Sequence, residues 1–329
     1  MGVEELQRTR VGRYQLGDCL GHGSHTAVYR ASTPTGASCA LKVVDTRLQG
    51  AEDLAERLRQ DAWVLNQLSH PRILPIWDPM ASKEMTAAAM PLMVAPTMQD
   101  LMQGGRLDSE LAWNLLNQIA DSLQAAHQWG LTYKLLKPAN ILVRDGRAYL
   151  AEFGIAGRRA GRVALSQPDF HVAAPQYLAP EQVLAEQVDH RADIYAFAVL
   201  VFELATGTPL WDGAQPAAVL QRTLDGLPPS AHARNPRVPR EVDGVLRRAL
   251  ARDPAQRHPS IWQLVDELAN PPRFEPLPPE AAPPLIHDIH EEELVPQAAT
   301  AEVTVDSLID VLSEVLSGKT SDDAESRTP

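Results

Sequence analysis

The residues equipped for chemistry lie in a few short stretches. Gly21-His22-Gly23-Ser24-His25-Thr26 is a glycine turn between two strand-like segments. Glycines in such a turn let backbone amides approach phosphates closely. A plain hairpin turn has the same composition, and Thr26 adds bulk where phosphates would pass. Glu152, in Ala151-Glu152-Phe153-Gly154, offers hard carboxylate oxygen to a metal. In mid-chain stands Leu131-Thr132-Tyr133-Lys134-Leu135-Leu136-Lys137-Pro138-Ala139-Asn140-Ile141-Leu142. There Lys134 is a cation, Tyr133 is a poor base near neutral pH, and Leu135 can neither orient nor accept a proton. Cys19 and Cys39 lack metal-ligand spacing and read as free thiols in an N-terminal sheet. His287 and His290, beside Asp288 and Glu291, read first as a solvated acidic run and only second as a metal site.

The surrounding pattern says how these residues are held. A chain of 329 residues is long enough for a two-lobed domain plus an appendage. Its 44% hydrophobic and 22% charged content is ordinary for a soluble globular protein. Residues 14–17, 27–30 and 39–44 have strand-like patterns. Residues 53–68 carry Leu54, Leu58, Trp63, Leu65 and Leu68 at helical spacing. Pro71 closes that helix, because the residue before a proline avoids helical geometry. Strands are expected near 74–77 and 88–93. From Thr97 onward the reading is mostly helical. Residues 109–128 place Leu111, Leu115, Ile119, Leu123 and Ala126 on one side. Residues 193–205 are apolar nearly all round and predict a buried central helix, with further helices over 242–251 and 261–268. The expected fold class is α+β. A lead-in (1–13) precedes a small β-rich N-lobe of about 14–96 and a larger helical C-lobe of about 97–270.

Leu136-Lys137-Pro138-Ala139-Asn140-Ile141-Leu142 resembles the catalytic loop of Hanks-type serine/threonine protein kinases, especially the bacterial kind. The likeness is collinear over roughly residues 14–270 and implies the two-lobed protein-kinase-like fold. It implies that Gly21 and Gly23 cover nucleotide phosphates, with Thr26 standing for the last glycine of the loop. It assigns Lys42 to the α- and β-phosphates. Asp61, nineteen residues on, stands for that lysine's glutamate partner and is one methylene shorter. Without the likeness, Lys42 and Asp61 read as ordinary surface charges. Val28, Ala40 and Leu142 fall where the family sandwiches adenine, and the small Ala40 leaves room for a ring. Lys137 falls where a lysine contacts the transferred phosphate, and Asn140 where an asparagine binds the second metal.

The same likeness marks departures. Leu135 occupies the position of the catalytic aspartate, which orients the substrate hydroxyl and accepts its proton. General-base loss alone costs on the order of 10²–10⁴ in rate. Glu152 replaces the metal-binding aspartate of D-F-G-I-A, and its extra bond displaces a metal by about 1–1.5 Å. Positioning errors of that size cost about 100-fold. Ala174, in Ala174-Pro175-Gln176-Tyr177-Leu178-Ala179-Pro180-Glu181, replaces the threonine that contacts the catalytic aspartate. Ser166 is the exposed hydroxyl expected in the segment that precedes it, near Arg158, Arg159 and Arg162. Structural positions are spared. Glu181 is expected to pair with Arg257 inside the helical lobe, and Asp193 to hydrogen-bond the catalytic-loop backbone.

Charge separates the tail from the body. Of the net −12, residues 271–329 hold −10, from 13 acidic and 3 basic residues. No basic stripe suggests nucleic acid. The longest apolar run, 194–204, is broken by Glu203 and is too short to span a bilayer. Met1-Gly2-Val3-Glu4-Glu5-Leu6 has no signal-peptide core, so the expected location is cytoplasmic. Residues 271–296 contain eight prolines, and 271–303 reads as an acidic, disordered linker. Residues 304–317 place Val305, Leu308, Ile309, Leu312, Val315 and Leu316 at helical spacing, before a disordered 318–329. So short a helix is marginal alone. Its own domain, a protein partner and another copy (a homo-oligomer) all stand as supports. Thr300, Thr304 and Ser307 are sites where an active kinase could create a docking point for a phosphothreonine-reading domain. A solubilising tail packed on the body explains the same residues.

The reading that follows is a pseudokinase: a kinase-like fold with little or no phosphoryl transfer, acting as a scaffold or regulatory binding module in bacterial-type signalling. A weak or atypical ATP-dependent serine/threonine kinase and an ATP-binding switch without phosphoryl transfer are the alternatives. ATP is the implied nucleotide, with magnesium held weakly or not at all.

Overall fold

The computed structural model describes residues 9–22, 26–47, 51–65, 67–82, 85–151, 174–211, 213, 215–271, 309 and 312, without the side chains at 22, 51–54, 57 and 61. Its first part is an antiparallel sheet of β1 (Arg10–Val11), β2 (Tyr14–His22), β3 (Thr26–Ser32), β4 (Ser38–Asp45), β5 (Trp77–Ala81) and β6 (Met85–Met90). The strand order is β1-β2-β3-β4-β6-β5. Alternation gives each strand two faces. Ala27, Tyr29, Leu41, Val43, Ala87 and Ala89 fill one face and form a small core beneath Tyr14 and Leu16. Helix α1 (Ala51–Leu65) buries Ala55, Leu58, Ala62 and Leu65, the period expected of one helix face. These join the large core together with Val44 and Ala88 of the sheet.

The strand expected at 74–77 begins only at Trp77. Pro75 lacks the N–H a ladder needs. The residues before it are tied elsewhere: Leu74 N–H donates to Leu150 O at 3.0 Å, and Leu150 N–H donates to Arg72 O at 2.7 Å. Arg72 also pairs with Asp121 at 2.8 Å. The strand expected at 88–93 is shifted to Met85–Met90, because Pro91 ends it.

Past residue 97 the chain is mainly helical. Helix α2 (Met98–Gln103) starts with a reciprocal cap between Thr97 and Asp100. Helix α3 (Ser109–Gln128) starts with Asp108 accepting from the Leu111 N–H at 2.8 Å. A hairpin follows, β7 (Ile141–Arg144) and β8 (Arg147–Leu150), which the sequence reading missed. Its turn is Asp145-Gly146, with φ of 52° and 69°, the positive values a two-residue hairpin requires. Then come α4 (Pro180–Leu184), α5 (Arg191–Thr206), α6 (Pro216–Asp225), α7 (Ala231–Arg234), α8 (Arg240–Ala249) and α9 (Ile261–Ala269). In α5 every residue is buried except Arg191 and Glu203, and Gly207 ends it in the left-handed region. This helix is the axis on which the site is mounted. Cys19 and Cys39 are free thiols. Among the described residues, no helix is long and apolar enough to cross a membrane.

Candidate functional site

The sheet brings several of the named residues to one face. Val28 lies opposite Lys42 across β3 and β4, and Ala40 lies opposite Met90 across β4 and β6. Cross-strand partners and residues two apart share a face. Val28, Ala40, Lys42, Ala88 and Met90 therefore line the side away from the small core. Ala40 is buried, while Val28, Lys42 and Met90 are half-buried. Thr97 bridges Leu142, which brings that residue beside the connection between the lobes. A Cβ built on Gly21 would meet nothing within 4 Å, so space is open above the end of β2. Thr26 is the first residue of β3. Position 61 falls within α1, three residues after Leu58 and four before Leu65. The Asp61 side chain, Gly23, Glu152 and Ser166 lie outside the described residues.

The loop from Leu131 to Asn140 is held from below by one carboxylate. Asp193, fully buried on α5, accepts from the Tyr133 N–H at 2.7 Å and the Lys134 N–H at 2.6 Å. His127 Nε2 at the end of α3 lies 2.8 Å from the same carboxylate. Tyr133 is buried and its hydroxyl donates to the Ala151 carbonyl. Lys134 has φ of 64°, a left-handed residue at the sharpest point of the loop. Gln182 of α4 donates to the Lys134 carbonyl at 3.0 Å. Asn140 donates through Nδ2 to the Leu135 carbonyl at 2.8 Å, which leaves its oxygen Oδ1 for a cation. Leu135 itself is 43% exposed, an apolar side chain presented to solvent by a fully anchored loop.

Glu181 and Arg257 meet as a bidentate pair, both bonds at 2.7 Å and both side chains buried. Arg257 also donates to the carbonyls of Ala251 and Arg191, each at 2.8 Å, and lies over the Tyr195 ring. Every strong donor direction of the guanidinium is used, which is what a buried charge needs.

Beside the loop is a cleft of about 530 Å³, lined among others by Lys137, Ala174, Gln176, Tyr177, Met102 and Glu203. Glu203 accepts from the Tyr177 hydroxyl, and burial pushes its carboxyl up to about 7. Tyr177, desolvated and beside that carboxyl, is pushed well above its ordinary value. Ala174 sits at φ 69° on the rim. Sequence reasoning did not place Glu203, His127 or Gln182 in the site. Glu203 left one signal: it is the acid that interrupts the longest apolar run.

The chain matches the protein kinase domain over residues 14–268. It belongs to the protein kinase family. It is 31% identical over 271 residues to a probable serine/threonine-protein kinase of Streptomyces coelicolor, covering 80% of this chain and 40% of that one. It is 31% identical over 269 residues to the serine/threonine-protein kinase PknH of Mycobacterium tuberculosis, covering 80% and 43%. The chain thus spans about half or less of the length of these curated relatives. The crystal structure of the Mycobacterium tuberculosis PknI kinase domain is similar with a TM-score of 0.63 and 27% identity, covering 80% of this chain and 97% of that one. The kinase fold, a curled sheet followed by a helical lobe, is therefore the fold of this chain.

Kinases of this family use ATP and magnesium. The open space above Gly21 and the small, buried Ala40 fit a nucleotide. For the metal, Asn140 Oδ1 is the candidate oxygen among the described residues, and they contain no cluster of three or more His, Cys, Asp or Glu able to hold one. When bound, the nucleotide would supply the phosphoryl group. Lys42 and the Gly21 backbone would then hold its phosphates.

Proposed function

We propose that this protein is a catalytically impaired member of its family, a pseudokinase acting as a scaffold or regulatory binding module in bacterial-type signalling. The observation that carries the reading is Leu135. Its backbone neighbours are anchored by Asp193, Gln182 and Asn140, so the loop keeps its form, yet its exposed side chain is a hydrocarbon. No proton acceptor stands at that position. The division into an N-lobe of 14–96, a C-lobe of 97–270 and an acidic tail, and a cytoplasmic setting, belong to the same proposal. Its partners are proteins, met at the cleft beside Lys137 and along the tail.

A second reading has a specific support. Lys42, Lys137 and Asn140 are retained, and phosphoryl transfer depends more on positioning than on base strength. That reading is a weak serine/threonine kinase or an ATP-binding switch. A thermal-shift titration with ATP, with and without magnesium, run beside an autophosphorylation assay, separates them. The pseudokinase reading expects no phosphate incorporation above that of a Lys42→Ala variant. A shift that needs magnesium, with incorporation that Lys42→Ala abolishes, would establish the weak kinase instead. A metal-independent shift without incorporation would identify the switch.

A further inference from the structure

Leu312 is fully buried and belongs to the large hydrophobic core. All other members of that core lie between Val44 and Leu268. A side chain from beyond the kinase domain is thus seated among that domain's own buried residues. Ile309, three residues earlier, is helical and half-buried, and Leu312 is helical as well. The spacing is that of one helix face, and Val305, Leu308, Val315 and Leu316 continue it in the sequence.

We propose that residues 304–317 dock in cis on the kinase domain of the same chain, with Leu312 as the anchor. Three arguments favour the chain's own tail over a second copy or a foreign helix. Leu312 is buried among residues of its own chain. The linker 271–303, at ~3.3 Å per residue when extended, reaches ~100 Å, so its length forbids no part of the domain. A tethered segment has an effective concentration of order millimolar, above that of a second copy at ordinary dilution. Docking also answers the energetic problem of the segment, since a helix this short needs a surface to hold it. The contact lies outside residues 14–268, so it is not part of what this chain shares with the kinase domain as such. It does not depend on whether phosphoryl transfer occurs. The result is a latch that returns the acidic linker to the body and competes with any partner for the same apolar face.

Hydrogen exchange on the full chain tests this. Amides of 305–316 are expected to be protected by about tenfold or more over a free peptide, at a level independent of protein concentration. Leu312→Asp removes that protection while the amides of α5 stay protected, which shows that the variant still folds. Asp310→Lys, off the apolar face, retains it. Free-peptide exchange in the unaltered chain would overturn the proposal. So would protection that appears only as a dimer forms in sedimentation, which would make the second copy the occupant.

Discussion

At the level of single residues, the proposed impairment rests on Leu135, an exposed hydrocarbon where the kinase resemblance expects a carboxylate. Leucine at 135 costs the loop little structurally, because its anchors are backbone groups: the N–H of Tyr133 and Lys134 and the carbonyls of Lys134 and Leu135. On the pseudokinase proposal one reversal does not recover the chemistry, because other departures from the family pattern remain. Leu135→Asp is expected to fold normally and to remain far below an ordinary kinase in a radiolabel assay. The substitutions at 26, 61, 152 and 174 still stand. Turnover restored to within about tenfold of an active relative by this single change would mean that those substitutions matter little. Ala174 adds a structural contrast, since it holds a left-handed φ that an alanine adopts only when the surroundings impose it.

At the level of elements, α5 organises the lobe. Asp193 near its N-terminal end holds the loop from Tyr133 to Asn140, and Glu203 near its other end faces the cleft. The Glu181–Arg257 pair ties α4 to the segment before α9. Removing one partner of such a pair leaves the other charge buried and unmatched. Arg257→Ala is expected to lower unfolding stability by about 3–5 kcal/mol in urea titration, and the double change Glu181→Met with Arg257→Met by clearly less. Equal losses in the two variants would place the stabilisation in packing rather than in charge pairing.

For the whole molecule, Glu203 makes stability depend on pH. Burial holds its carboxyl at about 7 in the folded chain, against an ordinary 4.5, while the Tyr177 hydroxyl pulls it the other way. Between these values the folded state binds the proton that the unfolded state has released, so stability falls as pH rises from 4.5 through 7. Glu203→Gln is expected to gain up to about 3 kcal/mol more at pH 8 than at pH 4.5, read from denaturant midpoints. The same gain at both pH values would show that the carboxyl titrates as in water. On the acid side His258 opposes this trend. Burial holds its imidazole below the usual value, so its contribution is present above pH 6.5 and is lost as pH falls through the folded value.

What the sequence determined by itself is local or periodic. The helix over Ser109–Gln128 and the buried helix around 193–205 were legible because apolar residues repeat along them, and the kinase resemblance rested on contiguous residues in order. Leu135 stood out for the same reason, as a leucine where that resemblance expects an aspartate. The tertiary structure decided what depends on neighbours distant in the chain. Pro75 and the Leu150 backbone moved the start of β5, and the hairpin of Asp145-Gly146 joined two strands too short to show a period. Glu203 interrupted an apolar run in the sequence, and only packing turned it into a carboxyl with a raised pKa on the wall of a cleft. Leu312 was one apolar residue among six in the tail, with three supports open to it. Its burial depends on which surface excludes water from it, and that surface belongs to residues far earlier in the chain.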